Sequence, residues 1–270
     1  MHYNIPASMA EAYQGRTIIV RAYDPSEFPK YLSETDMKNV AYLQLLSLNT
    51  DTEGLNRWGE GIPVDLVMAE PEKEFPLLYS FSPLLKKHPV KVSVPPVPEF
   101  GKAVRVAASL NFAVRITGGQ PEPAIEEEMA DILNFYLRHP TVSRPIEYFH
   151  SLLFAFFHEK AVYLPTIQEE DPMAFRYITH EGEAAISERF AADGIIGEAA
   201  TADAMCKLSE KSEECFDCDC FPFCRGYFKW PRPEYSCEGV KKIFQTLKRA
   251  AGDLEKHYAA SLGRQGGRRK

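Results

Sequence analysis

Short apolar stretches alternate with longer polar or amphipathic ones along the first 120 residues. The apolar stretches are rich in β-branched residues and recur every roughly 22–26 positions, a spacing typical of repeated strand–helix units. They cover residues 17–21, 40–48, 64–69, 90–94 and 112–117. Most of them lack a strict apolar–polar alternation, which indicates strands of a parallel sheet with helices on both faces.

Segments with helical periodicity separate or follow these strands. They cover residues 75–87, 99–110, 123–138 and 146–158. In the third segment the spacing of the apolar residues places them on one helix face. These residues are Ile125, Met129, Ile132, Leu133 and Tyr136. The pattern predicts an α/β fold, a partial (βα) barrel of about five to six parallel strands.

The pattern changes after Pro165. Residues 175–179 and 184–190 are typical of short antiparallel strands, a cysteine-rich segment follows, and residues 238–258 carry the apolar stripe of a helix. We therefore predict a barrel domain over residues 1–165 and a small α+β domain over 166–258. The glycine-rich, basic residues 259–270 are predicted to form a flexible tail.

Composition and charge narrow the classes of function. The chain has 270 residues and a net charge of −7, and this acidic balance disfavours nucleic acid as the main partner. No apolar run reaches the roughly 18–20 residues that a membrane-spanning helix needs, and the N-terminus lacks the apolar core of a signal peptide. We expect a cytoplasmic protein with no membrane partner, whose thiols stay reduced.

The cysteines are confined to one part of the chain. They are Cys206, Cys215, Cys218, Cys220, Cys224 and Cys237. Without Cys220, the sequence from Cys215 reads C-x2-C-x5-C with a later cysteine at 237, which supplies four sulfurs for one zinc ion or one four-iron cluster. Cys206 and Cys220 could each substitute for one of these four. Clustered thiols in a reducing compartment indicate a metal site rather than disulfides.

This cysteine pattern, with its last member opening a helix, resembles the end of a SPASM domain. SPASM domains carry auxiliary iron–sulfur clusters in many radical S-adenosylmethionine (radical SAM) enzymes, often ones that modify peptides. Residues 195–205 resemble the glycine turn and acidic helix that precede the motif in that family. The resemblance implies that Cys215, Cys218, Cys224 and Cys237 hold one [4Fe–4S] cluster.

Two departures from the family limit what the resemblance implies. Phe228 occupies the position of a further cysteine that serves a second auxiliary cluster, so we expect that cluster to be missing. No cysteine precedes residue 206, so the CxxxCxxC motif that binds the catalytic cluster is missing too. We therefore expect no cleavage of S-adenosylmethionine by this chain alone.

A second, weaker resemblance lies in the turn ITGGQP at residues 116–121. It is similar to the GGEP turn of radical SAM enzymes, which contacts the amino group of the cofactor, and it implies cofactor contacts by Gly118, Gly119 and Gln120. A glutamine replaces the acidic residue, and a neutral amide binds an ammonium group less well. The alternative is an ordinary strand-to-helix turn, which favours glycine in any case.

The sequence thus favours a non-catalytic iron–sulfur accessory protein related to radical SAM/SPASM enzymes. Its partner would be a radical SAM enzyme or another peptide-modifying protein with its peptide substrate, and its role would be electron relay, substrate binding or completion of the partner's fold. The alternative is a zinc-stabilised binding module without redox function. An independent enzyme using the GGQP cleft is a third hypothesis, but no convincing acid–base pair accompanies it. Asp65 and Glu70 flank the third strand, where a carboxylate either faces a binding cleft or caps the strand end, and we interpret both as caps.

Overall fold

The computed structural model describes residues 1–33, 36–200, 203 and 213–266. In these ranges a nine-stranded sheet has the order β7-β6-β5-β4-β3-β2-β1-β8-β9. The strands β1 to β9 are His2–Pro6, Thr17–Ala22, Val40–Leu45, Val64–Val67, Val90–Val94, Ala113–Ile116, Ile146–Glu147, Phe175–Ile178 and Ala184–Ala185. All neighbours pair in parallel except β8 and β9, which are antiparallel. The predicted parallel α/β architecture is therefore confirmed, but eight described strands pair in parallel rather than the predicted five to six, and the partial (βα) barrel stays a prediction.

Helices connect these strands. The α-helices α1 to α11 are Glu27–Tyr31, Glu53–Arg57, Pro71–Glu74, Phe100–Ser109, Glu126–Arg138, Phe149–Phe157, Leu164–Ile167, Glu188–Ala192, Glu213–Phe216, Phe221–Cys224 and Glu238–Gly266. The 3-10 helices are Ala7–Tyr13, Asp36–Asn39, Phe75–Lys86, Pro123–Ile125 and Tyr227–Lys229. No helix in the described part of the chain is long and apolar enough to cross a lipid bilayer.

The two faces of the central strands differ in chemistry. Val64 and Leu66 of β4 belong to the apolar core, whereas Asp65 between them is buried among polar groups. The register aligns Gln44 of β3 with Asp65, and Asp65 with Lys91 of β5. The strands β3 to β6 thus alternate after all, with one apolar face and one polar face. The expectation of apolar cover on both faces is wrong for them.

The chain returns to the sheet after residue 165. Strand β8 pairs in parallel with β1, the N-terminal strand, which the sequence pattern did not predict. The second of the two predicted antiparallel strands, 184–190, is shorter than expected: β9 ends at Ala185, and α8 begins at Glu188. The proposed domain boundary near residue 165 stays a prediction.

The long helix α11 covers the C-terminal side of the molecule. It begins at Glu238, as predicted, and continues to Gly266. Its buried residues include Phe244, whose ring stacks edge-on against Phe156 of α6 and Phe228, with centroids 6.3 and 6.4 Å away. The segment between α10 and α11 is thereby fixed against the helical layer, and this contact positions the cysteines.

Candidate functional site

All five cysteines that the structure describes line one small cavity of about 20 Å³. They are Cys215, Cys218, Cys220, Cys224 and Cys237, and none forms a disulfide. Cys206 lies outside the described residues. The remaining walls are mostly apolar and aromatic, formed by Phe221, Phe228 and Phe244 among others. The cysteines that lie close together in the sequence are therefore also close together in space, and Cys220 lies among them.

Local backbone structure aims groups at the Cys224 sulfur. Helix α10 ends at Cys224, and the next two residues, Arg225 and Gly226, have positive φ angles of 53° and 77°. This left-handed turn favours glycine. Backbone hydrogen bonds from Phe228 and Gly226 reach the Cys224 thiol. Amide hydrogen bonds of this kind stabilise a metal-bound thiolate.

Burial keeps these thiols protonated in the absence of a metal. Desolvation raises the pKa of Cys224 to about 12, although the backbone hydrogen bonds oppose the rise. Burial likewise raises the pKa of Cys220 and of Cys237 to about 11, and it raises the pKa of Cys215. A cation that binds here must displace protons, because the thiolate is the metal ligand.

Two lysines and one glutamate complete the cavity wall. Lys229 is buried, and its ammonium group lies 2.8 Å from the Glu214 carboxylate and also donates to the Tyr235 carbonyl. Lys241 pairs with the other oxygen of Glu214. The positive charges of Lys229 and Lys241 exceed the single negative charge of Glu214, so this group of side chains carries a net positive charge. That excess complements a metal centre carrying four thiolates, which is an anion.

The chemistry of this donor set fits an iron–sulfur cluster and also fits zinc, since both take four thiolates. The arrangement is not closed around a metal: among residues 1–33, 36–200, 203 and 213–266, no three His, Cys, Asp or Glu side chains are disposed to hold an ion. The assignment of Cys215, Cys218, Cys224 and Cys237 as ligands therefore stays a prediction.

The GGQP turn contacts the C-terminal segment. The Gln120 amide nitrogen donates to the carbonyls of Phe228 and Arg232, at 3.1 and 2.8 Å. A glutamate could not make these bonds when ionised, which gives the amide a structural role. A Cβ on Gly119 would lie 2.0 Å from the Arg189 guanidinium, so a larger residue here would have to displace that guanidinium. Cofactor contacts by Gly118, Gly119 and Gln120 stay a prediction.

A buried ionic network occupies the polar face of the sheet. Asp65 accepts hydrogen bonds from Ser93 at 2.8 Å and from Arg115 at 3.0 Å, and the Lys91 ammonium lies 3.6 Å away. Arg115 also pairs with Glu169. Asp65 is fully buried in the middle of β4, so its interpretation as a strand-end cap is wrong. The apolar–polar alternation of β4 to β6 was the sequence signal for this network.

The charged groups in the network shift one another's pKa values. Burial would raise the pKa of Glu169, but Arg115 and Lys91 outweigh it and lower that pKa to about 2. Arg115 has a pKa well above its ordinary value because Glu169 and its other acidic neighbours outweigh burial. Burial raises the pKa of Tyr42, whose hydroxyl donates to Glu169. Glu169 and Arg115 are therefore held as an ion pair with every partner inside the network, unlike the groups of a reactive acid–base pair.

A larger cavity of about 270 Å³ opens beside this network. Its walls come from six strands of the sheet and from the segments around α7 and α8. The polar residues that line it include Asn4, Arg21, Gln44, Arg115, Gln168, Glu169, Glu170, Arg176, Ser187, Glu188 and Arg189. Sequence reasoning did not identify this cavity, because its residues are brought together from distant parts of the chain.

No protein-family model matches the sequence, and no curated protein matches it. Solved structures do match it: those of anSMEcpe, an anaerobic sulfatase-maturating enzyme of the radical SAM/SPASM class, with bound AdoMet. The native form is similar over 92% of this chain and 88% of its own, with a TM-score of 0.58 and 14% sequence identity. The form with a hexahistidine tag covers 92% and 89%, with a TM-score of 0.57 and the same identity. At this identity the similarity lies in the fold, and this chain has a radical SAM-like α/β fold.

Proposed function

We propose that this protein is an iron–sulfur accessory protein related to radical SAM/SPASM enzymes. It would hold one [4Fe–4S] cluster on Cys215, Cys218, Cys224 and Cys237, and act with a partner in peptide or protein modification. The observation that carries the proposal is the cavity lined by five cysteines in a chain with a radical SAM-like fold. The cluster would supply electron transfer or structural support; the protein supplies thiols, backbone donors and the two lysines.

The sequence supports a non-catalytic role. The first 205 residues contain no cysteine, so the three thiolates that hold the catalytic cluster in radical SAM enzymes have no counterpart. The resemblance then implies that the chemistry belongs to a partner enzyme. A reducing compartment such as the cytoplasm is part of the proposal, because all five described cysteines are free thiols.

The first experiment is anaerobic purification and reconstitution, followed by an absorption spectrum and iron, sulfide and zinc analysis of one sample. We expect brown protein with about four irons and about four sulfides per chain. Colourless protein with one zinc would instead establish the zinc-stabilised binding module.

Single alanine variants test the ligand set. We expect each of Cys215→Ala, Cys218→Ala, Cys224→Ala and Cys237→Ala to lose iron. The matched control is Cys220→Ala, which removes a thiol from the same cavity and should retain it. Because the Cys220 and Cys218 thiols share a hydrogen bond, the two could exchange roles. Iron lost from Cys220→Ala but kept by Cys218→Ala would make Cys220 the ligand.

A turnover assay tests the non-catalytic assignment. Reconstituted protein incubated with S-adenosylmethionine and a strong reductant should leave the S-adenosylmethionine intact. Cleavage that the Cys224→Ala variant lacks would show that the C-terminal cysteines perform the family's chemistry themselves, and would contradict the accessory role.

A further inference from the structure

We propose that the 270 Å³ cavity beside the ionic network is a binding site for a small ligand that carries a compact oxyanion, a carboxylate or a phosphate. This site is separate from the cysteine cavity and uses none of its residues. The inference goes beyond the proposed accessory function and does not depend on the cluster.

Arg21 is the central residue of the site. It lines the cavity and is only 3% exposed. Its guanidinium donates to the backbone and side-chain oxygens of Asn4, at 2.8 and 3.0 Å, and to the Ile178 carbonyl, while its Nε has no hydrogen-bond partner. No carboxylate in the described part of the chain lies within salt-bridge distance of it. Arg21 is thus a buried cation without a salt bridge: its guanidinium stacks over the Tyr177 ring, 4.1 Å from the ring centroid, and the Glu188 carboxylate acts on it only from beyond salt-bridge distance.

The other buried arginines of the cavity do have their anions. Arg115 pairs with Asp65 and Glu169, and Arg189 pairs with Glu170 at 2.5 Å. These pairs neutralise each other, so the Arg21 charge is offset only by the more distant Glu188 carboxylate and by no salt bridge. An unpaired buried charge is costly to a folded protein, and such a charge persists where a ligand compensates it.

Two further donors lack partners in the same cavity. The Ser187 hydroxyl belongs to a residue only 8% exposed, and its Oγ makes no hydrogen bond. Nη2 of Arg189 has none either. Together with Nε of Arg21, three buried unpartnered groups that can donate hydrogen bonds belong to residues lining one cavity.

These donors select the ligand chemistry. Buried polar groups are almost always hydrogen-bonded, so three orphan donors indicate a missing acceptor. An oxyanion offers several acceptor lone pairs and a negative charge, and arginine binds carboxylate and phosphate through such charge-assisted bonds. The acidic residues do not select a cation instead: Glu169 and Glu170 are already paired, and Glu188 is exposed.

The test is calorimetric titration of the purified protein with sodium phosphate and, separately, with sodium acetate, at constant ionic strength. We expect saturable binding of at least one probe with one site per chain; the probe that binds more tightly distinguishes a phosphate from a carboxylate ligand. Arg21→Gln should weaken binding about tenfold or more, because it removes a charge-assisted hydrogen bond. The matched control, Arg16→Gln, removes an exposed arginine that bonds to Tyr3 and should leave binding unchanged.

Ser187→Ala is a second variant, which keeps the inference testable if Arg21→Gln fails to fold. The hydroxyl has no partner to lose, so the variant should fold normally and bind about three- to tenfold more weakly. The inference is overturned if neither anion binds, or if Ser187→Ala and every folded Arg21 variant bind like the wild type. Repeating the titration on Cys224→Ala separates the two proposals, because loss of a cluster should leave anion binding intact.

Discussion

Asp65 illustrates how one buried carboxylate organises the polar face of the sheet. Its two oxygens accept from Ser93 and Arg115 and face Lys91. We expect Asp65→Ala to lower the free energy of unfolding by about 3–5 kcal/mol, because it removes the buried acceptor of Ser93 and one of the two carboxylates that pair with Arg115. Urea denaturation of the variant and the wild type measures this difference.

Glu53→Ala is the control for Asp65→Ala. Glu53 pairs with Arg57 on an exposed helix surface, and such a pair contributes about 0–1 kcal/mol. If Asp65→Ala costs no more than Glu53→Ala, the buried network does not stabilise the fold as its geometry indicates.

Glu169 makes the free energy of unfolding depend on pH in the acidic range. Its pKa in the folded protein is about 2, against an ordinary value of 4.5, because Arg115 and Lys91 outweigh the effect of burial. A lowered pKa adds stability above about pH 4.5, and this contribution is lost as the pH falls towards about 2. The stability difference between the wild type and Glu169→Gln should therefore be largest at neutral pH and shrink with acidification. Urea unfolding at successive pH values measures it; a difference independent of pH would contradict the assignment.

Residue-level prediction from sequence succeeded where the chemistry is local in the chain. Four cysteines within ten positions located the C-terminal cavity correctly. Lys229 and its pairing with Glu214 were not predicted, because a lysine in the sequence gives no sign that it is buried. Arg21 was assigned only to an apolar strand, and its hydrogen bonds to the carbonyls of Asn4 and Ile178 become evident only once β1 and β8 are placed beside it.

At the scale of elements, β-branched runs identified strands β2 to β6, but their polar face was missed. In VKVSV of β5 and AVRI of β6 the alternation is plain once the register is known. Strand β1 was not predicted because its sequence, HYNIP, has few β-branched residues and ends in proline. Its place between β2 and β8 depends on pairing across the whole chain, which no local pattern contains.

The apolar stripe of α11 gives the element-scale prediction. Leu247 is fully buried, whereas Leu254, two turns later, is 47% exposed. We expect Leu247→Ala to cost about 2–5 kcal/mol of unfolding free energy because it leaves a core cavity. Leu254→Ala, the same chemical change, should cost much less. Equal losses in urea denaturation would show that α11 does not pack in the described register.

At the scale of the whole molecule, hydrogen bonds connect the GGQP turn, residues 118–121, to the C-terminal segment that follows the cysteine helices. Gln120 donates to the backbone of that segment, and Arg189 links the Glu170 carboxylate to the Trp230 carbonyl. Tyr227 donates to the other oxygen of Glu170 at 3.1 Å. The segment that follows the cysteine helices is therefore held against the sheet by hydrogen bonds as well as by aromatic packing. Arg189 belongs to this junction and also lines the 270 Å³ cavity, although it lines no part of the cysteine cavity.

This arrangement predicts which part of the chain is destabilised when the metal is removed. Metal binding converts buried protonated thiols into ligands and stabilises the elements that carry them. The described cysteines lie on α9, between α9 and α10, on α10 and just before α11, whereas β3 to β5 lie in the middle of the sheet order. We expect amide hydrogen exchange in residues 213–241 to accelerate when iron is removed anaerobically with a chelator, while exchange in β3 to β5 stays unchanged.

Cys220→Ala is the control for that exchange experiment, because the proposal leaves its cluster intact and its iron-bound form should show wild-type protection. Acceleration spread evenly over the sheet would mean that the metal supports the whole fold rather than the C-terminal segment. No acceleration in 213–241 would mean that the cysteine cavity does not bind the iron. An intermediate result is possible, in which the faster exchange continues into residues 118–121. It would show that loss of the metal also loosens the GGQP turn. Gln120 would then be the connection, because its amide donates to the carbonyls of Phe228 and Arg232.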